Sequence, residues 1–393
     1  MKANAIILLA VQLGLSCAST SDHAGTSATQ RRPDAGAPGD PECEVRDIAH
    51  ADGLAMWSPT GEQYVLNKKD AAGTYQLYVG AKGSNSPTCI TCSERPNSPA
   101  VKRHKQQPHW HPSGKWILLA AERDEYKKPL IYTKSMIEGW ILSGLFVNIY
   151  ATRPDGSEWH RLSDFGGSQR GDGFTGIPFT PDGKQGVWAQ IVDGNVFKNL
   201  FGRWELILAD FREDRNGVPS FANLRNITPA GANWVEPGNF APDGKSLVIT
   251  ADIGMKDPQG QDQYVLDITT GSVRNLTNTP GVWDEHGVFS PDGEKIFFMS
   301  SYPFRNNRLS HNFLFLKTEF MLMNKDGSGL QQLTHYNSPG YPDYDKRGGV
   351  AANGEWYPDG RSISALHLFF PEVEASIITF KGPCGNRSRV GAR

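Results

Sequence analysis

The chain is expected to be all-β: a six-bladed β-propeller of four-stranded antiparallel blades, closed by an N-terminal strand that joins the last blade. Three observations predict this. A hairpin motif recurs six times, a strand-end motif alternates with it, and the strands after the sixth hairpin run out one short of a blade. The composition agrees, with 42 Gly and 26 Pro among 393 residues for turns and 10 Trp, 12 Tyr and 19 Phe as bulky strand formers.

The hairpin motif is an aromatic residue, a small or polar one, Pro, a turn residue and Gly. Its copies are WSPTGE from Trp57, WHPSGK from Trp110, FTPDGK from Phe179, FAPDGK from Phe240, FSPDGE from Phe289 and WYPDGR from Trp356. They lie 53, 69, 61, 49 and 67 residues apart, the spacing of an irregular repeat. Pro followed by Asp-Gly, Thr-Gly or Ser-Gly builds a tight turn, because Gly takes a positive φ without steric cost. Apolar strands follow, as in KWILLAA from Lys115, KSLVITA from Lys245 and KIFFMS from Lys295.

Between hairpins, an apolar residue followed by Thr, Ser or Ala ends a strand, as at Ile90–Thr91, Leu162–Ser163, Ile227–Thr228, Leu276–Thr277 and Leu333–Thr334. Strands such as NIYAT from Asn148, YVLDI from Tyr264 and FMLMN from Phe320 come before. Each repeat thus supplies four strands, and six such sheets make a propeller. Aligning EVRDIAHADGLAMWSPTG from Glu44 with SVRNLTNTPGVWDEHGVFSPDG from Ser272 puts Ile48–Ala49 at the strand-end motif. The N-terminal segment therefore supplies the outer strand of the blade that Ser362–Phe369 and Ala375–Lys381 leave incomplete, and no edge is left unpaired.

The hairpins and DGS…LT segments resemble the repeats of the TolB-like propeller family over roughly residues 44 to 381. What the resemblance implies is a six-bladed propeller in the cell envelope. The α/β domain ahead of the propeller in TolB has no counterpart; a tether stands there.

Residues 1–17 read as a secretory signal, with an apolar run from Ala5 to Val11 too short to span a bilayer. Cys17 stands where a lipoprotein signal places its acylated cysteine; the alternative is ordinary cleavage near Ala18, and both export the chain. Residues 18–42 are a low-complexity tether, 43–384 the propeller and 385–393 a basic tail. The expected location is the periplasm, or the outer membrane through a lipid tether. Cys43, Cys89, Cys92 and Cys384 form an even set in an exported chain. A Cys43–Cys384 disulfide would replace the turn missing from the last blade. Cys89 and Cys92 form a local bridge if the strand bends there, or remain thiols.

Forty Lys+Arg against 42 Asp+Glu, a net charge of −2, lacks the basic excess of a nucleic-acid binder. No GxSxG elbow, phosphate loop, HExxH or EF-hand pattern occurs. NWVEPGNF from Asn233 aligns with VWDEHGVF from Val282 at the entry to inner strands of the fourth and fifth blades. Trp234, Glu236, Trp283, Asp284, Glu285 and His286 are therefore expected at one mouth of the channel, with Asp52 and Asp172 at comparable places. Such an acidic, aromatic rim suits a basic or amide-rich peptide, or a cation such as Ca²⁺. The alternative is that the tryptophans pack between blades and the acids cap turns.

His109 and His111, two apart around Trp110, could share a strand face and with His286 hold a metal, as in a propeller lyase acting on oligogalacturonate; otherwise they are polar strand positions. Trp140, Ile141, Leu142 and Leu145, in the insertion from Met136, either form an apolar patch or pack over the blade edge. The insertion from Ser301, carrying Arg305 and Arg308, belongs to one of the two rims. The leading functional expectation is an exported, non-enzymatic monomer that binds an envelope protein or peptide at the channel mouth, without a membrane span or a required cofactor. The alternatives are a metal-assisted polysaccharide lyase or hydrolase and a carbohydrate-binding propeller using exposed tryptophans.

Overall fold

The computed structural model describes residues 40–125, 143–167, 173–194, 201–256, 259–312, 315–369 and 372–385. They form six four-stranded antiparallel sheets. Blade 1 comprises β2 (Met56–Trp57), β3 (Gln63–Lys69), β4 (Tyr75–Ala81) and β5 (Thr88–Cys89); blade 2 comprises β6 (Lys105–Trp110), β7 (Ile117–Glu122), β8 (Val147–Thr152) and β9 (Trp159–Arg161). Blade 3 contains β10 (Phe174–Thr175), β11 (Gln185–Asp193), β12 (Arg203–Glu213) and β13 (Pro219–Asn226). Blade 4 contains β14 (Val235–Phe240), β15 (Ser246–Ala251), β16 (Asp262–Asp267) and β17 (Val273–Asn275). Blade 5 contains β18 (Asp284–Phe289), β19 (Lys295–Ser300), β20 (Glu319–Asn324) and β21 (Gln331–Gln332). Blade 6 is β22 (Val350–Trp356), β23 (Ser362–Phe369), β24 (Glu372–Phe380) and the N-terminal strand β1 (Val45–Ala51).

β1 pairs with β24 with Ile48 opposite Ile378 and Ala49 opposite Ile377, so the ring closes as the repeat predicts. Cys43 and Cys384 are joined at the start of β1 and past the end of β24, where other blades have a turn. Lys295 reaches Asp40 at 3.0 Å and ties the entering chain to blade 5. A second disulfide joins Cys89 and Cys92 where β5 ends.

All six hairpin motifs connect the first and second strands of a blade. In each, the Gly amide donates to the carbonyl three residues back, as in Gly61 to Ser58 and Gly293 to Ser290, both 2.8 Å. The six Gly have φ between 63° and 73°, which explains the invariant residue of the motif. In three blades the Gly also fits against the Pro of the preceding hairpin: a methyl on Gly293 would lie 2.7 Å from Pro242, on Gly244 3.4 Å from Pro181, and on Gly61 3.2 Å from Pro358 across the closure. These three hairpins therefore nest against their neighbours on one face. Between blades, the second and third strands bury both faces, as in β7, β8 and β19, where every residue is buried.

The strand-end Thr and Ser have a second task. Their hydroxyls accept from a backbone amide of the third strand: Thr91 from Leu77 (3.0 Å), Ser163 from Ile149 (2.8 Å), Thr228 from Leu206 (2.8 Å), Thr277 from Gln263 (3.1 Å) and Thr334 from Phe320 (2.9 Å). In four blades the hydroxyl donates to a buried polar side chain at the start of that strand: Gln76, Asn148, Asp262 or Glu319. Amide, hydroxyl and acceptor are all satisfied inside the blade.

Both devices can be tested by their effect on stability. Replacing Cys43 and Cys384 by Ser should lower unfolding free energy by about 2–5 kcal/mol, read by urea denaturation, because the bridge spans 341 residues; the same change at Cys89 and Cys92, three residues apart, should cost less. Thr334→Val strips the Phe320 amide and the buried Glu319 carboxylate of a partner and should cost about 1–3 kcal/mol. Thr228→Val, whose hydroxyl donates to exposed Asn226, should cost less in the same assay.

Candidate functional site at the channel mouth

Antiparallel alternation assigns every connection to a face. First-to-second and third-to-fourth turns lie on one face, together with the Cys43–Cys384 bridge and Asp40. Second-to-third connections and the links between blades lie on the other. First strands of neighbouring blades pack together, β2 with β6, β14 with β18 and β18 with β22, so they line the channel. Each starts at the second face, which is therefore the face of the acidic mouth.

The start of the inner strand is irregular in a repeated way. The ladder slips between Gln106 and His109 in β6, Pro237 and Phe240 in β14, Glu285 and Val288 in β18, and Ala351 and Gly354 in β22. These β-bulges twist the strand and re-aim its side chains. At the β18 bulge His286 has φ 57°, left-handed for a non-Gly residue, while its amide donates to Thr250 Oγ1 at 3.2 Å.

The bulge brings three side chains together. Glu236 of β14 and Glu285 and His286 of β18 can each place one ligand atom within 4.8 Å of the others. His286 Nε2 lies 3.3 Å from Glu236 Oε2, and its Nδ1 lies 3.1 Å from the Ala352 carbonyl of β22. Trp283 Nε1 donates to Glu285 Oε2 at 2.8 Å. Burial alone would push the His286 imidazole down, but the Glu285 and Glu236 carboxylates outweigh it and hold the imidazolium up to about 9. Burial raises Glu285, against the opposing pull of His286.

The remaining residues expected at the mouth separate. Trp234 is half-buried there and Asp52 is exposed in the link between β1 and β2. Trp283 is turned into the core against Phe201, 5.4 Å between ring centres, so its indole supports the cluster from behind and does not face solvent. Asp284 is buried too, taking hydrogen bonds from Thr279 (2.5 Å) and Ser300. Burial, with the charge of Asp262, pushes its carboxyl up to about 7. The period of a strand explains the split: Asp284 and Glu285 leave opposite faces of β18. Asp172, Cys17, Trp140, Ile141 and Leu142 lie outside the described residues, and Leu145 is buried.

His109 and His111 do not join His286. Trp110 ends β6, so His111 sits in the hairpin on the far face, its Nε2 2.9 Å from the Gly183 carbonyl and its ring against Phe211. Among the described residues the Glu236–Glu285–His286 group is the one cluster of three His, Cys, Asp or Glu side chains with converging ligand atoms.

Two features escaped sequence reasoning. Gln76, Asn148, Asp262 and Glu319 each lie fifteen residues before the Thr or Ser they bond, a spacing that would have revealed them. Glu355 of the inner strand β22 is half-buried in the ring's interior, and burial pushes its carboxyl up to about 7. The insertion from Ser301 forms short turns at Tyr302–Phe304 and Arg308–His311 between β19 and β20, on the mouth face. Exposed Leu309, Phe315, Tyr341, Tyr344 and Val373 lie in connections or strand ends of blades 5 and 6 on that face.

Fold and site define a closed six-bladed propeller with a carboxylate–imidazole cluster at one mouth of its channel. The chain matches no protein-family model and no curated protein. Among solved structures it is similar to one assigned as TolB from Agrobacterium tumefaciens, at 18% identity and TM-score 0.46, covering 72% of this chain and 79% of that one. TolB from Acinetobacter baumannii is similar at 17% identity and TM-score 0.45, with 88% of this chain and 66% of that one covered. An oligogalacturonate lyase in complex with manganese is similar at 12% identity and TM-score 0.47, over 85% of this chain and 91% of that one. At such identities the likeness concerns the fold alone.

Glu355 gives the channel a pH signature. Between pH 4.5 and about 7 the folded state holds a proton that the unfolded chain has released, so this group makes stability fall as pH rises through that window. Glu355→Gln should remove on the order of 1–3 kcal/mol of that decline, measured as urea midpoints from pH 4.5 to 8 against the parent chain.

Proposed function

We propose that this chain is an exported, non-enzymatic propeller that binds a protein or peptide partner in the cell envelope at the Glu236 mouth. The observation that carries this reading is the asymmetry of the two faces. The hairpin face carries the turns, both ends of the propeller and their disulfide, with a cleft between the hairpins of blades 3 and 4 lined largely by charged and polar side chains such as Asp182, Lys184, Asp210, Arg212 and Lys245. The mouth face instead presents Glu236 and Asp52 along with exposed Leu309, Phe315, Tyr341, Tyr344 and Val373 and the exposed Arg305 and Arg308, a mixture of charged and apolar surface suited to a partly apolar segment. Two disulfides support an oxidising compartment, in line with the signal-like residues 1–17, as either a periplasmic or a lipid-tethered protein. Among the described residues no helix is long and apolar enough to cross a membrane.

Metal-assisted action on a polysaccharide is the second reading, and the convergence of Glu236, Glu285 and His286 is the observation in its favour. The carbohydrate-binding reading needs exposed tryptophans, and every Trp among the described residues is buried or half-buried.

Affinity capture from envelope extract tests the mouth. Glu236→Lys should lose a partner that the parent chain and Glu62→Lys, a reversal on the hairpin face, both recover. Equal recovery by all three proteins rejects the mouth as the binding surface.

A further inference from the structure

We propose that Glu236, Glu285 and His286 form a binding site for a borderline transition-metal dication of the Zn²⁺ or Mn²⁺ class, with an open coordination position facing the channel. The donors come from two inner strands and their ligand atoms lie within 4.8 Å of one another. Two contacts outside the trio hold the ligands in binding orientation. The Ala352 carbonyl, on a third blade, lies 3.1 Å from His286 Nδ1, the arrangement in which one ring nitrogen is tied to the backbone and Nε2 is turned toward Glu236. Trp283 Nε1 fixes Glu285 Oε2 at 2.8 Å, the type of outer partner that orients metal-binding carboxylates.

The donor set selects the ion. One imidazole nitrogen and two carboxylates suit Zn²⁺ or Mn²⁺, whereas Ca²⁺ takes six to eight oxygen ligands and the trio supplies two carboxylates. The Ca²⁺ expected from the acidic sequence around Glu236 and Glu285 is thus replaced by an ion that accepts nitrogen. Three protein ligands leave a position open, the pattern of sites where a metal takes water or another small ligand. Glu236 and His286 are half-buried, so the site is reachable from solvent, while Glu285 is buried behind them. The bulge that places His286 at φ 57° is the local backbone device that turns its ring toward Glu236.

The inference does not rest on partner binding, since metal uptake is read without a partner; either reading can fail while the other stands. Isothermal titration of the tag-free mature chain, first treated with chelator, is made with Zn²⁺, Mn²⁺ and Ca²⁺. The expected result is one equivalent of Zn²⁺ or Mn²⁺ and at least about tenfold weaker Ca²⁺. Glu236→Gln and His286→Gln should each abolish the saturable heat, and Trp283→Phe should weaken affinity about 10–100-fold. Circular dichroism melts confirm that each variant is folded, and Glu62→Lys serves as a folded surface control that keeps binding. No saturable heat with either transition metal overturns the site, as does undiminished binding by folded Glu236→Gln or His286→Gln, or a preference for Ca²⁺.

Discussion

Closure of the ring is the constraint behind the other contacts, because a four-stranded blade has two apolar faces and each finds its cover only in the next blade. A row of blades would leave two such faces in water. The pairing of β1 with β24 supplies the last hydrogen-bonded strand, and the Cys43–Cys384 bridge holds it where a turn cannot. The nesting of Gly61 against Pro358 carries the hairpin contact across the same seam, so blade 1 meets blade 6 as blade 5 meets blade 4.

Closure also decides where polar groups can go. Buried Gln76, Asn148, Asp262 and Glu319 each sit at the head of a third strand, and each is tied to the hydroxyl that ends the fourth. Blade 6 takes its fourth strand from the other end of the chain, and there Ala49 stands in place of the hydroxyl; its pairing is secured by a disulfide instead. The same need to satisfy buried groups accounts for Asp284, whose carboxyl sits among Thr279, Ser300 and Asp262 and serves the blade interior.

The fold was legible because turn chemistry is local. Pro-Asp-Gly after an aromatic residue specifies a hairpin without knowledge of distant contacts, and six copies specify six blades. Closure was legible because Ile48–Ala49 matched a motif that the C-terminal blade lacked. The mouth was harder. Alignment of Trp234 with Trp283 and Glu236 with Glu285 identified the level of the channel, but not which side chains turn inward, since one residue of bulge reverses a strand's faces. Within β18 the strand period sends Asp284 to the blade interior, and the bulge that follows Glu285 turns His286 to Glu236, while Trp283 packs in the core. His109 and His111 misled for a related reason: the strand ends between them, so the two-residue period that would align them does not apply.

The cluster at the mouth is a property of the ring and not of any blade. Glu236 belongs to blade 4, Glu285 and His286 to blade 5, and the carbonyl beside His286 Nδ1 to blade 6. Inner strands approach so closely there that a methyl on Gly238 would lie 1.9 Å from the Gly287 carbonyl, which fixes the separation of β14 and β18 and therefore that of Glu236 and His286. A ligand engaging all three side chains would join two blades directly and a third through Ala352. Its binding energy would then oppose any separation of these blades, and a loosened ring would in turn weaken the site. Closure at the hairpin face and the geometry of the cluster at the mouth are in this way two ends of one mechanical system.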